Sequence, residues 1–213
     1  MNQETTIVTN NQVYLSGFVH SELVHSHELF GEEFFEFNLR VPRLSNQPDI
    51  IPLTISNRLL GERKLVIGER IALNGQFRSY NKIVDDKSKL MLTVFVRDFC
   101  EPMQGDNPNI AELSGYICKP PIYRTTPFNR EICDVLLAVN RAYNKSDYIP
   151  CIAWGRNARF VRTVDVGSRI TITGRIQSRE YVKKFSETEQ EMRVAYELSI
   201  NKIALTEQLV ISD

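Results

Sequence analysis

The chain has a single tryptophan, Trp154, which closes the stretch DYIPCIAW (147–154) and leads into GRNARF (155–160). Tyr148 precedes it, and Arg156, Arg159 and Phe160 follow. An indole in this position either closes a strand inside a core or offers a flat π-face to a flat, anionic ligand. Strand alternation puts Ile149, Cys151 and Ala153 on one face and Tyr148, Ile152 and Trp154 on the other. At about 3.3 Å per residue, Tyr148 and Trp154 stand roughly 20 Å apart on that second face. Spaced aromatic faces beside cations suit stacked nucleobases, each worth about 1–3 kcal/mol whatever its sequence. The cations add a salt-dependent phosphate term. In RITITGRIQSREY (169–181), Ile170, Ile172 and Ile176 alternate against Arg169, Arg175, Arg179 and Tyr181, which supplies a third aromatic on a basic face. The basic stretch 119–130, with Tyr123 and Phe128 interleaved, is either a solvated hairpin or a further strand contact.

No other residues assemble into a reactive set. Nucleophile–base arrangements, paired catalytic carboxylates and phosphate-cradling glycine loops do not occur, so no enzyme and no cofactor is expected. His20, His25 and His27 lie within eight residues, but a zinc site needs a tetrahedral set with plausible partners. They are read as solvent-exposed loop or strand residues, and no metal is expected. Cys100, Cys118, Cys133 and Cys151 lie 15 or more residues apart, which suits buried thiols in a reducing cytoplasm better than zinc or disulfides. No apolar run approaches the roughly 18 residues that span a bilayer, and the polar start MNQETTIVTNNQ lacks an export signal. A cytoplasmic, nucleoid-associated protein without membrane partners is expected. The formal net charge of zero conceals an asymmetry: −3 over residues 1–106 and +3 over 107–213. Residues 112–184 carry 13 basic side chains against 6 acidic ones, the mark of one basic face.

The elements that must hold these side chains come in two copies. VYLSGFV (13–19) answers AELSGYI (111–117), FEFNLRVPR (35–43) answers CDVLLAVNR (133–141), and DIIPLTIS (49–56) answers DYIPCIAW, all at an offset of 98. IGERIALNGQ (67–76) answers VGSRITITGR (166–175) at 99. A repeat of this length is a duplicated domain. Each copy reads as five strands with one short helix after the third, the order of an OB-fold. In the second copy that helix falls within 155–167, with Ala158, Val161 and Val164 inward and Phe160 in the core. MRVAYELSI (192–200) alternates, with Met192, Val194, Tyr196, Leu198 and Ile200 on one face. Gly17, Gly75, Gly115 and Gly174 sit in strand contexts that imply bulges or barrel bends. The fold class is therefore all-β, two tandem OB-folds. A first barrel spans 1–100, a linker 101–110, a second barrel 111–205 and a short tail 206–213.

On LSGYICKPPIYRTTPFNREICDVLLAVNRAYNKSDYIPCIAWGRNARF and VGSRITITGRIQSREYVKK, the second copy resembles the bacterial single-stranded DNA-binding protein family over about 113–200. The resemblance implies ssDNA binding without sequence specificity, in replication, recombination or repair, by an assembly of four OB-folds. The family's four stacking positions fall on Tyr143, Tyr148, Trp154 and Tyr181, with Arg124, Arg141, Lys145, Arg156, Arg175, Arg179 and Lys183 expected along the phosphate path. A homodimer would supply four OB-folds, and replication or repair proteins are possible partners. The first copy departs from the pattern: Ser45, Ile50, Ser56 and, approximately, Asn81 next to Tyr80 stand at the equivalent positions. It reads as a degenerate barrel kept for assembly, partner binding or a weaker strand contact. The chain ends LTEQLVISD, without the long acidic tail common in the family, which counts against recruitment through such a tail. The rival readings are a replisome or primosome accessory module that acts on proteins, and an RNA binder.

Overall fold

A computed structural model describes residues 10–43, 45, 47–84, 86–103, 107–184 and 190–205. The first half runs β1 (Asn11–Val19), β2 (Val24–Leu29), β3 (Glu32–Val41), β4 (Asp49–Ser56), α1 (Asn57–Leu60), β5 (Arg70–Val84) and β6 (Lys87–Cys100). The second repeats it as β7 (Asn109–Ile117), β8 (Ile122–Thr125), β9 (Glu131–Asn140), β10 (Ser146–Trp154), α2 (Arg156–Val161), β11 (Arg169–Lys184) and β12 (Gln190–Leu205). Strands neighbour one another in the order β2-β3-β4-β6-β5-β1-β7-β11-β12-β10-β9-β8. Pairings β3–β1 and β7–β9 close each half into a barrel of five strands, with a short helix after the third. Each half also carries a sixth, short edge strand, β2 or β8, which the alternation pattern alone does not separate from the hairpin it belongs to. Among the described residues no helix is long and apolar enough to cross a membrane.

The barrels are filled as the alternation dictates. Leu15, Leu39, Ile51, Leu53, Ile55 and Leu73 are fully buried in the first, and Leu113, Leu137, Ile149, Ile170, Ile172 and Ile176 in the second. A bulge at Asn74/Gly75 and its counterpart at Thr173/Gly174 bend the long strands round the barrel. A Cβ on Gly174 would come within 2.1 Å of the Ser199 carbonyl oxygen, so the strand crossing admits only glycine. In β12, Leu198 and Ile200 are buried while Met192 and Val194 are exposed. The alternation persists there, but the hairpin has left the barrel.

Two details differ from the sequence expectation. Phe160 is 38% exposed, because the short helix turns Ala158 and Val161 inward and leaves the intervening position facing out. Of the four cysteines, Cys133 and Cys151 are buried while Cys100 and Cys118 are half-buried. Burial holds the Cys133 thiol up at about 11.

The two barrels are joined inside one chain by strand pairing. β1 and β7 run antiparallel with Val13 opposite Ala111, residues related by the 98-residue offset, so the junction has a local two-fold. Its hydrogen bonds come in matched pairs. Ser16 N donates to the Pro108 carbonyl and Ser114 N to the Asn10 carbonyl, both at 2.8 Å. The buried Asn11 amide exchanges two bonds with the Phe77 backbone, and the Asn109 amide does the same with Ile176. This explains why β7 starts at Asn109, inside the stretch expected as linker: the amide anchors the strand to β11.

Two buried carboxylates complete the junction. Asp49, at the start of β4, accepts from Ser178 N at 2.7 Å and from Arg175 at 3.2 Å, both on the other barrel, and from Arg43 on its own. Asp147, at the start of β10, accepts from Ser79 N at 2.7 Å and Arg78 at 3.1 Å across the junction, and from Arg141 at 3.4 Å on its own side. Burial lowers the pKa of Arg78 and of Arg175, whereas the hydrogen bond to Asp49 raises that of Arg43. Each carboxylate receives a guanidinium from both barrels and a backbone amide, the full pairing that a charge removed from water requires.

Candidate nucleic-acid interface

On β10, Ile149, Cys151 and Ala153 are at most 3% exposed, whereas Tyr148 is 47% and Trp154 37% exposed. Ile152 shares the outer face but is buried, since β12 runs alongside with Ser199 as its partner; with Trp154 it lines a groove of about 870 Å³. Trp154 Nε1 donates to Ser199 Oγ at 3.2 Å. Opposite the indole along the strand pair lies Ile132 of β9. The indole is thus held by its edge, with part of its surface open to the groove. The groove crosses the junction: Arg43, Gln47, Pro48 and Ile50 of the first barrel line it together with Arg124 and Arg179 of the second.

The first barrel has the same local architecture with its aromatic volume moved. Register pairs Leu53 with Val94 and Cys151 with Leu198, so Phe95 stands where Ser199 stands in the second barrel. Ser56 replaces Trp154, Phe34 replaces Ile132, and the two phenylalanine rings pack at 5.9 Å. Ser56 then serves the backbone, since its Oγ accepts from Leu59 N at 3.2 Å and caps α1. The helix α2 begins instead at Gly155 with no side-chain cap. The position that caps a helix in one copy presents an indole in the other, and both barrels close.

The remaining stacking positions are spread over the outer surface. Tyr143 is 94% exposed in the β9–β10 turn and has φ +60°, a conformation uncommon for a bulky residue. Tyr148 lies at the junction, where its backbone N–H donates to Ser79 Oγ at 2.7 Å. Tyr181, on β11, has the Arg179 guanidinium 5.9 Å from its ring centre. Of the four, Trp154 lines the groove, and Tyr143, Tyr148 and Tyr181 lie outside it. In the first copy Ser45 and Asn81 are exposed, and Tyr80 donates to Glu36 at 3.4 Å.

The cations divide by how they are held. Arg124 grips Asp134 through two bonds at 2.9 and 3.3 Å on the exposed surface. Arg179 lies 3.9 Å from Glu197. Arg141 and Arg175 are tied to the junction carboxylates, yet about a third of each side chain stays exposed. Lys145 and Arg156 are exposed. Lys183 is on β11, with its side chain outside the described residues. Arg43, Ile50, Tyr196 and Glu197 of the groove escaped sequence reasoning, although the repeat already matched Arg43 with Arg141.

Other aromatic and basic signals have local explanations. Tyr123 donates to Glu131 at 2.5 Å, and Arg162 lies 4.9 Å from its ring centre. Phe128 stands 86% exposed at the β8–β9 tip. His27 stacks on Phe34 with centroids 4.9 Å apart, and His25 meets Phe35 edge-on.

Comparison with known proteins agrees with this architecture. The model of the single-strand binding protein family matches residues 108–205. Single-stranded DNA-binding protein 1 of Staphylococcus aureus (strain COL) is 36% identical over 80 residues, 34% of this chain and 48% of that protein. Single-stranded DNA-binding protein B of Bacillus subtilis (strain 168) is 32% identical over 80 residues, 34% of this chain and 71% of that protein. The chain thus spans about half the length of the first of these relatives. The wild-type single-stranded DNA binding protein from Thermus aquaticus shares the fold, with TM-score 0.73 and 17% identity over 95% of this chain and 96% of that one. The N-terminal domain of PriB protein from Thermoanaerobacter tencongensis is 49% identical over 45% of this chain and all of that one, with TM-score 0.39. With its two OB-folds and the family match over the second, the chain belongs to the single-strand binding protein family.

Proposed function

We propose that the protein binds single-stranded DNA through the second barrel, without requiring a fixed sequence and without catalysis. Bases stack on Tyr143, Tyr148, Trp154 and Tyr181, and Arg124, Arg141, Lys145, Arg156, Arg175, Arg179 and Lys183 meet the phosphates. The observation that carries this reading is Trp154: 37% exposed in a groove flanked by Arg124 and Arg179, in the copy whose fold has no need of it. The first barrel contributes Arg43 and Ile50 to the same groove. The exposed strand serves replication, recombination or repair, and two chains associate to bring four OB-folds together, as the family resemblance suggests.

The expected result with a labelled oligo-dT is affinity that falls steeply as salt rises, log Kd changing by about 0.7 per phosphate contact for each decade of salt. Fluorescence anisotropy measures it, and salt-independent binding would contradict a phosphate path. A second role through protein contacts is favoured by one feature of the first barrel. Val66 and Ile67 are exposed there, in a concavity shared with Leu60 and Leu65.

A further inference from the structure

The groove beside Trp154 is lined by two carboxylate residues, Glu180 and Glu197, which a purely phosphate-binding surface would exclude. Glu197 lies on β12 two residues from Ser199, the residue that holds the indole edge. Successive same-face residues are separated by about 6.6–6.8 Å, roughly the length of one base. The Glu197 side chain is 12% exposed and lines the groove. Gln177 Nε2 donates to its Oε1 at 2.7 Å, and Arg179 Nε lies 3.9 Å from the same oxygen. Among the described residues, no donor is bonded to Oε2.

A chain of bonds fixes this carboxylate from behind. Gln177 Oε1 accepts from Arg175 at 3.2 Å, and Arg175 in turn pairs with Asp49 of the first barrel. Glu197 is therefore held in place through Gln177, which is itself tied to Arg175. The first copy again serves as a control. Register pairs Gln177 with Glu197 and Arg78 with Thr93, so Thr93 occupies the equivalent place. Thr93 shares a 2.9 Å hydrogen bond with Thr54 and faces no indole. The copy that lacks the tryptophan also lacks the carboxylate, and its barrel closes equally well.

A carboxylate accepts hydrogen bonds and donates none. It repels the phosphates that Arg124 and Arg179 attract, so what it meets in an occupied groove is a base edge. Resting on the strand-binding reading above, we infer that Trp154 and Glu197 form a base-reading subsite: the indole stacks the base, and Oε2 accepts from an exocyclic amine. Cytosine N4 is the group a glutamate pairs with best. Thymine has no exocyclic amine, and its O4 faces Oε2 acceptor to acceptor. Binding then depends on base composition at one position while the other stacking sites remain indifferent.

The test compares oligo-dC with oligo-dT of equal length against the full chain and its Glu197→Gln variant. The glutamine amide donates to thymine O4, so the ratio of dC to dT affinity should fall about tenfold in the variant. A second measurement needs no variant. The wild-type chain should bind an oligomer of N4,N4-dimethyl-deoxycytidine, whose amine has lost both donors, several-fold more weakly than oligo-dC. An unchanged dC-to-dT ratio, or equal affinity for the dimethylated strand, would overturn the subsite and leave strand binding intact. Failure of the wild-type chain to bind either oligomer would overturn both.

Discussion

Trp154→Ala combined with Tyr148→Ala severely weakens binding of oligo-dT, and the barrels remain folded. Each lost stacking contact removes about 1–3 kcal/mol, so the pair weakens binding by roughly 30-fold to 10⁴-fold. The folded state is spared because neither side chain fills a core. Tyr148 is tied to Ser79 by its backbone N–H, which alanine retains. Trp154 contributes one edge bond to Ser199 and lies on a barrel whose twin closes with serine in its place. An anisotropy titration reads the affinity, and a thermal melt reads the fold. Undiminished affinity in a folded double variant would remove these two residues from the interface.

Asp147→Ala has the opposite profile and damages the fold first. The carboxylate is fully buried between Arg78, Arg141 and the Ser79 amide. Its removal leaves two guanidinium groups and a backbone donor without their acceptor at the junction. Breaking a buried pair from one side costs about 3–5 kcal/mol, a large part of the 5–15 kcal/mol that holds a domain together. Asp49→Ala should behave alike, since Asp49 accepts from Arg43, Arg175 and Ser178 N in the matching arrangement. Denaturant unfolding measures the loss. A midpoint within experimental error of wild type would mean that these carboxylates do not hold the barrels together.

The carboxylate pins mark the limit of what the sequence discloses. Alternation in DYIPCIAW separated barrel from surface correctly, with Ile149, Cys151 and Ala153 inside and Tyr148 and Trp154 outside, because a strand's period is local. Ile152 shares the outer parity and is nevertheless buried, since β12 runs alongside it. No local rule anticipates that. Asp49 and Ser178 are 129 residues apart in the chain, and composition gives no sign that they meet. The repeat did carry the information: both aspartates open matching words, DIIP and DYIP, at the same offset. The aspartate stands in both copies while the neighbouring tyrosine and tryptophan stand in one, which fits its bonds across the junction. Glu197 was hidden for another reason. It stands in YELSI, where the alternation marks Leu198 and Ile200 for the core. Only the register of β11 with β12 brings it beside Gln177.

The most direct test uses the molecule's own probe. Trp154 is the single tryptophan, so all indole emission reports from the groove. Titration of the full chain with oligo-dT should quench that emission to a plateau at a fixed stoichiometry, and added salt should reverse it in step with the anisotropy of the labelled strand. A complex that forms by anisotropy while the indole emission stays unchanged would contradict the claim that Trp154 is the stacking platform.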